Sequence, residues 1–144
     1  MQTQNFKNHS RLVPMYHYVL FFLLLVIFGW SVIHLIKSIN MGANRVQSLM
    51  TLFVSISLLL IFFLFRGFAL KAQDRAIRAE ESLRTYVLTG ALPDSRLTIQ
   101  QIIALRFASD EEFVALSQRA AKENLSSKEI KQAINNWRGD YYRV

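Results

Sequence analysis

Two apolar runs, residues 16–36 and 46–70, constrain this chain more than any other feature of it. Within 16–36 there is no acidic side chain, no lysine and no arginine; only His17 and His34, near the two ends, bear a side chain that ionises near neutral pH. About 20 apolar residues in a helix cross the ~30 Å hydrocarbon layer of a bilayer. A backbone in lipid must satisfy its own hydrogen bonds, and a helix does so within one segment. Tyr16, Tyr18 and Trp30 sit near the ends of the first run, where amphipathic rings favour the headgroup level. The second run has an unbroken Leu, Ile and Phe core over 58–65, and Arg66 near its far end is placed to snorkel towards headgroups.

The segment between the runs holds Asn40, Gly42 and Asn44, residues that tolerate positive φ. A loop that short makes the two helices antiparallel neighbours. The expected fold is therefore an all-α membrane protein. It consists of a two-helix transmembrane hairpin, a second helix prolonged as a stalk, and a small cytoplasmic bundle of about three short helices. The expected divisions are an N-terminal cytoplasmic segment 1–15, spans 16–36 and 46–70, an extracytoplasmic loop 37–45, a stalk 71–88 and a helical domain 89–144. The first run exceeds the apolar core of a signal peptide, and the residues around Gly42 make a poor cleavage site, so it reads as an uncleaved anchor.

Charge sets the expected orientation. All 10 acidic residues follow Arg66, and the net charge of +7 divides into +2 before the first run, +2 in the loop and +3 from Arg66 onward. Lys7 and Arg11 precede the first run, while Arg66, Lys71, Arg75, Arg78 and Arg84 crowd the end of the second. By the positive-inside rule both termini are cytoplasmic. Lys7, His9, Arg11, His17, Arg66, Lys71 and Arg75 are the candidate contacts for lipid headgroups. No segment carries a basic block dense enough for a nucleic-acid groove. The aromatic–basic end formed by Trp137, Arg138, Tyr141, Tyr142 and Arg143 suits an interface or a small core better than RNA stacking. The absence of cysteine excludes disulfides, thiolate catalysis and cysteine-ligated metal.

No proline interrupts residues 46–92, so the second helix is expected to continue to about Leu88. Some 40 residues would form a rod on the order of 60 Å. Along the stalk Ala69, Ala72, Ala76, Ala79, Leu83 and Tyr86 recur at alternating spacings of three and four, an a/d seam that admits a close partner helix. Packing of the same helix on the domain that follows is the simpler reading. Asp74–Arg78 and Glu80–Arg84 are acid-to-base pairs four apart. In the span, Gly29, Ser48, Thr51 and Ser55 are candidate helix-packing residues, since small and hydroxyl side chains let backbones approach and bond across. Gly90 and Pro93 end the stalk. Thr98-x-x-Gln101, Ser109-x-x-Glu112 and Ser126-x-x-Glu129 then open three amphipathic helices as capping boxes, with Gly139 stopping the last.

Catalytic, cofactor and metal residues are not assigned. His17 and His34 lie ~25 Å apart along a helix and cannot share a metal. The Asp110, Glu111, Glu112 cluster stands at a helix start, where the dipole favours negative charge. No Gly-x-Ser-x-Gly is present. Arg138-Gly139-Asp140 and the sequons at Asn8 and Asn124 fall on the side expected to be cytoplasmic.

The opening Gln4-Asn-Phe-Lys-Asn-His-Ser-Arg11, with Pro14, Tyr16, His17 and the Asn136-Trp137-Arg138 region, resembles a family of small bacterial membrane proteins with two spans and a helical tail. That family is a domain of unknown function, so the resemblance implies a bacterial inner membrane and no activity. The expected role is a non-enzymatic anchor or accessory subunit. It contacts membrane lipids and binds a protein partner, or another copy of itself, through its cytoplasmic helices. A membrane enzyme or transport component using His9, Arg11, His17 or the acidic cluster, and a sensor of anionic lipid, are the alternatives.

Overall fold

A computed structural model describes residues 4–6, 8 and 12–141. Among them the regular structure is helical, with one isolated antiparallel bridge between Ala108 and Trp137. A π-helical stretch, Met15–Leu20, leads into α1, Phe21–Met41; α2 is Arg45–Thr89, α3 Ile99–Leu105, α4 Asp110–Glu123 and α5 Ser127–Ala133. The chain divides into two compact units: Leu12–Ala69, and Leu70–Val144 with the described part of Met1–Arg11.

In the first unit the turn between helices is tighter than 37–45. Helix α1 runs to Met41, where Gly42 takes a left-handed conformation at φ 72° and its N–H donates to the Ile39 carbonyl. Asn44 is also left-handed, at φ 59°, and its carbonyl accepts from the Ser48 N–H that starts α2. The Ser38 hydroxyl donates to the Ala43 carbonyl and holds the turn. Pro14 opens the helical stretch, as its missing N–H allows. The Val13 N–H instead donates to His17 Nδ1 at 3.0 Å.

Both apolar stretches are long and apolar enough to cross a membrane, and only 11% of each apolar window is buried. Phe22, Val26, Phe53, Leu60, Phe63 and Phe65 are each more than half exposed. A helix in a soluble core hides such side chains, whereas contiguous apolar surface on this scale calls for lipid or a partner.

The tail unit has an ordinary core. Ala104, Leu105, Phe107, Ala108, Phe113, Ala120 and Ile130 are at most 2% exposed and form one cluster. Two of the three capping boxes form as expected. Thr98 Oγ1 accepts from the Gln101 N–H and Ser126 Oγ from the Glu129 N–H, while each N3 side chain accepts in return. The third does not. Ser109 makes no cap bond; its N–H donates to the Asn136 carbonyl and its buried hydroxyl lacks a hydrogen-bond partner. Glu112 turns away and accepts from the Asn135 and Asn136 N–H groups, at 3.1 Å each. The cause is tertiary: Arg138 N–H bonds the Phe107 carbonyl, and that bridge draws the last segment against the start of α4.

The end of α5 also departs from expectation. The helix stops at Ala133 and Ile134 is extended, so Gly139 terminates no helix. Ile134 is buried there, and Trp137 packs on Phe107 at 5.1 Å between ring centroids. An extended segment reaches across the core where a helix would have turned Trp137 elsewhere. The stalk ends at Thr89, with Gly90 left-handed at φ 74° and its N–H on the Tyr86 carbonyl.

Candidate functional site

The tail's most elaborate polar structure is a charge network centred on the last turns of α2. Four i, i+3 and i, i+4 positions, Ile77, Glu81, Arg84 and Thr85, turn one face of that helix to the core: Ile77, Glu81 and Thr85 are buried, and the Arg84 side chain is 9% exposed. Arg84 is held on four sides. Its guanidinium donates to Asp110 Oδ1 at 2.7 Å, to Glu81 Oε2 at 3.0 Å and to the Ala108 carbonyl at 2.7 Å, and it covers the Phe113 ring at 4.3 Å. A flat, delocalised cation suits this place because it can stack and fork at once.

The expected Glu80–Arg84 pair is therefore not made. Phe113 and Ala108 fix the guanidinium on the domain side of the helix, where Glu81 projects, and Glu80 is left exposed. Asp110 stands at the first position of α4, so Arg84 ties the stalk to the charged end of that helix. On the flank Arg138 approaches Glu81 at 3.9 Å, and Arg106, only 8% exposed, pairs with Asp140 at 3.0 Å. Beside them a cleft of about 330 Å³ is lined by Gln73, Glu80, Glu81, Arg106, Arg138 and Asp140 among others. Two guanidiniums face three carboxylates, a nearly balanced set that creates no strong field for a free ion. The acidic cluster is dispersed: Asp110 goes to Arg84, Glu112 to the Asn135–Asn136 backbone, and Glu111 to the surface. Among the described residues no three His, Asp or Glu side chains gather into a metal site.

One contact was not foreseen. The Gln4 carboxamide pairs with the Asp140 backbone in both directions, accepting from its N–H at 2.8 Å and donating to its carbonyl at 3.1 Å. It acts as an added strand would, on a segment that already bridges Ala108.

Two surface carboxylates and one guanidinium are electrostatically tuned. Arg96 grips Asp94 through both carboxylate oxygens and donates its own N–H, lowering the Asp94 pKa to about 2 and raising that of Arg96. The Ser126 hydroxyl, then its N–H, lowers the pKa of Glu129. Both carboxylates hold local turns, and Asp94 also borders a shallow pocket with Thr85, Thr89 and Phe113.

In the other unit, serines rather than a glycine bring the long helices together. Ser31 Oγ and Ser55 Oγ meet at 2.9 Å, and both side chains are buried. Ser38 and Ser48, each seven residues away and on the same register, are buried as well. Ser38 and Ser48 donate to backbone carbonyls in or beside their own helices; Ser31 and Ser55 each also lie within reach of one, so one of the two donates across to the other while its partner donates to its own carbonyl. Further along, Phe62 stacks on Tyr16 at 4.4 Å and adjoins Phe21, and the Tyr16 hydroxyl donates to the Phe62 carbonyl. Of the expected packing residues, Ser48 and Ser55 are buried, whereas Thr51 faces outward with its hydroxyl on the Gln47 carbonyl. A Cβ on Gly29 would meet nothing within 4 Å, so that glycine is no point of close approach. Ser31 and Ser38 were missed; their seven-residue spacing, matched by Ser48 and Ser55, was the available signal.

The stalk seam lies outside the tail's own packing. Ala72, Ala76, Ala79 and Leu83 are exposed, and Ala69 is half-buried. The tail packs instead on the opposite face, where Ile77, Glu81 and Thr85 are buried and Arg84 is tied to α4. Among the candidate headgroup contacts, Lys71 and Arg75 are exposed, Arg66 lies over the Tyr16 ring at 5.8 Å, and His17 is engaged by Val13. Lys7, His9 and Arg11 lie outside the described residues, as do Tyr142 and Arg143.

No curated protein and no solved structure matches this chain. A family model does match it, over residues 1–144, and the chain belongs to that family, a family of unknown function designated DUF6526.

Proposed function

We propose that this protein is a non-enzymatic, two-span membrane anchor of the bacterial inner membrane. On this reading α1 and the apolar part of α2 form a transmembrane hairpin, both termini are cytoplasmic, and the tail helices bind a protein partner. The observation that carries the reading is the contrast within α2. Its apolar part exposes nearly all its large side chains, while the part after Leu70 packs Ile77, Glu81, Arg84 and Thr85 into an ordered polar-and-apolar core. One continuous helix thus serves lipid and water in turn.

Three further facts support it. Arg66, Lys71, Arg75 and Arg78 fall where the apolar stretch ends, in keeping with a cytoplasmic boundary. Gln4 bonds to Asp140, in keeping with an N-terminal segment and a tail on the same side of the membrane. The carboxylates of the tail are engaged by guanidiniums, backbone N–H groups or solvent, an arrangement suited to rigidity.

Single cysteines at Asn40 and Lys128 in a chain without native cysteine test the topology with a membrane-impermeant maleimide. Labelling of Asn40→Cys from the outside, with Lys128→Cys reached only after permeabilisation, is expected. The reverse, or outside labelling at both, refutes the orientation. Crosslinking in native membranes followed by mass spectrometry tests the role. Recovery of uncrosslinked monomer alone refutes partner binding.

A further inference from the structure

The exposed face of α2 beyond the apolar stretch has a definite pattern. Ala72, Ala76, Ala79, Leu83 and Tyr86 follow d, a, d, a, d of a heptad, on the side opposite Ile77, Glu81 and Thr85. The tail leaves most of this face open: Leu83 is 63% and Tyr86 55% exposed, while Ala76 and Glu80 also border the cleft beside Arg106 and Arg138. In the same register Arg75 is a g position and Glu80 is the e position of the next heptad. Both are exposed, and Arg84, the expected partner of Glu80, is committed to Glu81 and Asp110.

We propose that this face docks on the same face of a second copy of the chain, as a short parallel two-helix coiled coil. In a parallel pair, g of one helix faces e five positions on in the other, which sets Arg75 against the second copy's Glu80. Two-fold symmetry makes the ion pair twice. An antiparallel pair would set e against e and g against g, bringing Glu80 to Glu80. The surface is thus self-complementary in one orientation and self-repelling in the other. A common membrane supplies the orientation. Copies inserted with the same topology present their stalks in parallel, and confinement to one plane raises their effective concentration. The small side chains at 72, 76 and 79 let the helices approach, and Leu83 and Tyr86 add apolar area at the far end. This proposal rests on the membrane-anchored, partner-binding reading above and names the partner.

Single cysteines at Ala76, Ala79 and Leu83, with Arg78→Cys as an exposed control off the seam, are oxidised in native membranes. A disulfide needs Cβ atoms ~3.5–4.5 Å apart, so it reports close register. Seam variants are expected to give disulfide dimers several-fold above the control. Arg75→Glu or Glu80→Arg alone should lower the dimerisation constant about tenfold at low salt, by turning two attractions into two repulsions. The charge-swapped double variant should restore it. These side chains are exposed, so the swaps leave the tail's core intact. Equal crosslinking at Arg78→Cys, or no rescue by the double swap, overturns the proposal. Adducts of seam cysteines with a different polypeptide, found with a bismaleimide, overturn the second copy as partner while preserving partner binding. No adduct from the seam or from the tail helices overturns both.

Discussion

Arg84 ties the end of α2 to the start of α4, and Arg84→Met measures what that tie contributes. Methionine keeps an apolar stem against Phe113 but removes the forked bonds to Asp110, Glu81 and the Ala108 carbonyl. Glu81, whose side chain is 8% exposed, would retain only Arg138 at 3.9 Å. Removing one partner of a buried ion pair costs about 3–5 kcal/mol, because the other charge stays desolvated. A domain of this size holds on the order of 4–10 kcal/mol in total. With a urea slope of ~1 kcal/mol per molar, the midpoint should fall by about 3 M or more. The assay is urea unfolding of the full chain in detergent micelles, read by Trp137 fluorescence in a Trp30→Phe background, since these are the two tryptophans. Arg119→Met is the control: Arg119 pairs with Glu123 at 3.0 Å, but both are more than half exposed. Its cost should stay within about 0.5 kcal/mol. Adding Glu81→Gln to Arg84→Met should recover at least ~1 kcal/mol by removing the stranded charge. If Arg84→Met unfolds like Arg119→Met, the network is not buried as described and the reasoning is refuted.

Other expectations concern caps, acid and the spans. Thr98→Ala and Ser126→Ala should each cost about 1 kcal/mol in the same assay; Ser109→Ala should cost almost nothing, because its hydroxyl caps nothing. Glu129 and Asp94 have folded pKa values below their ordinary ones, so their contributions are present above about 4.5 and 3.8 and are lost as pH falls through the folded values, about 2 for Asp94. Carboxyl NMR titrations should show the Asp94 value return towards normal in Arg96→Gln and that of Glu129 rise in Ser126→Ala; unchanged titrations would contradict the hydrogen-bond origin. In the spans, Ser31→Ala or Ser55→Ala should weaken helix pairing by about 0.6 kcal/mol, with the double variant costing no more than either alone; additive losses would show that the two hydroxyls do not meet.

What could be read from the sequence was what neighbours in the chain decide. The apolar lengths, the Gly42 and Gly90 reversals and the Thr98 and Ser126 boxes rest on contacts within a few residues, and the structure shows each of them. The misreadings arose where a distant segment competes for the same group. Ser109 and Glu112 match a capping box, but the Asn135–Trp137 segment takes the Ser109 N–H and the Glu112 carboxylate. Glu80 is well spaced for Arg84, but Phe113 and Asp110 choose which side of the helix Arg84 occupies. Trp137 continues the periodicity of α5, yet the bridge to Ala108 pulls it out of the helix. The alanine seam is conspicuous in sequence, but its neighbour Ile77 is the residue that the core takes.

The Gln4–Asp140 pairing has a consequence for synthesis. Its partners are separated by 136 positions. At ~5–20 residues per second, Gln4 leaves the ribosome about 7–30 s before Asp140. Throughout that interval its carboxamide has no native partner, while both long apolar helices are being made. Gln4 can therefore close onto the tail only after Asp140 has been made, and a nascent polypeptide halted before Asp140 would leave its carboxamide without this partner.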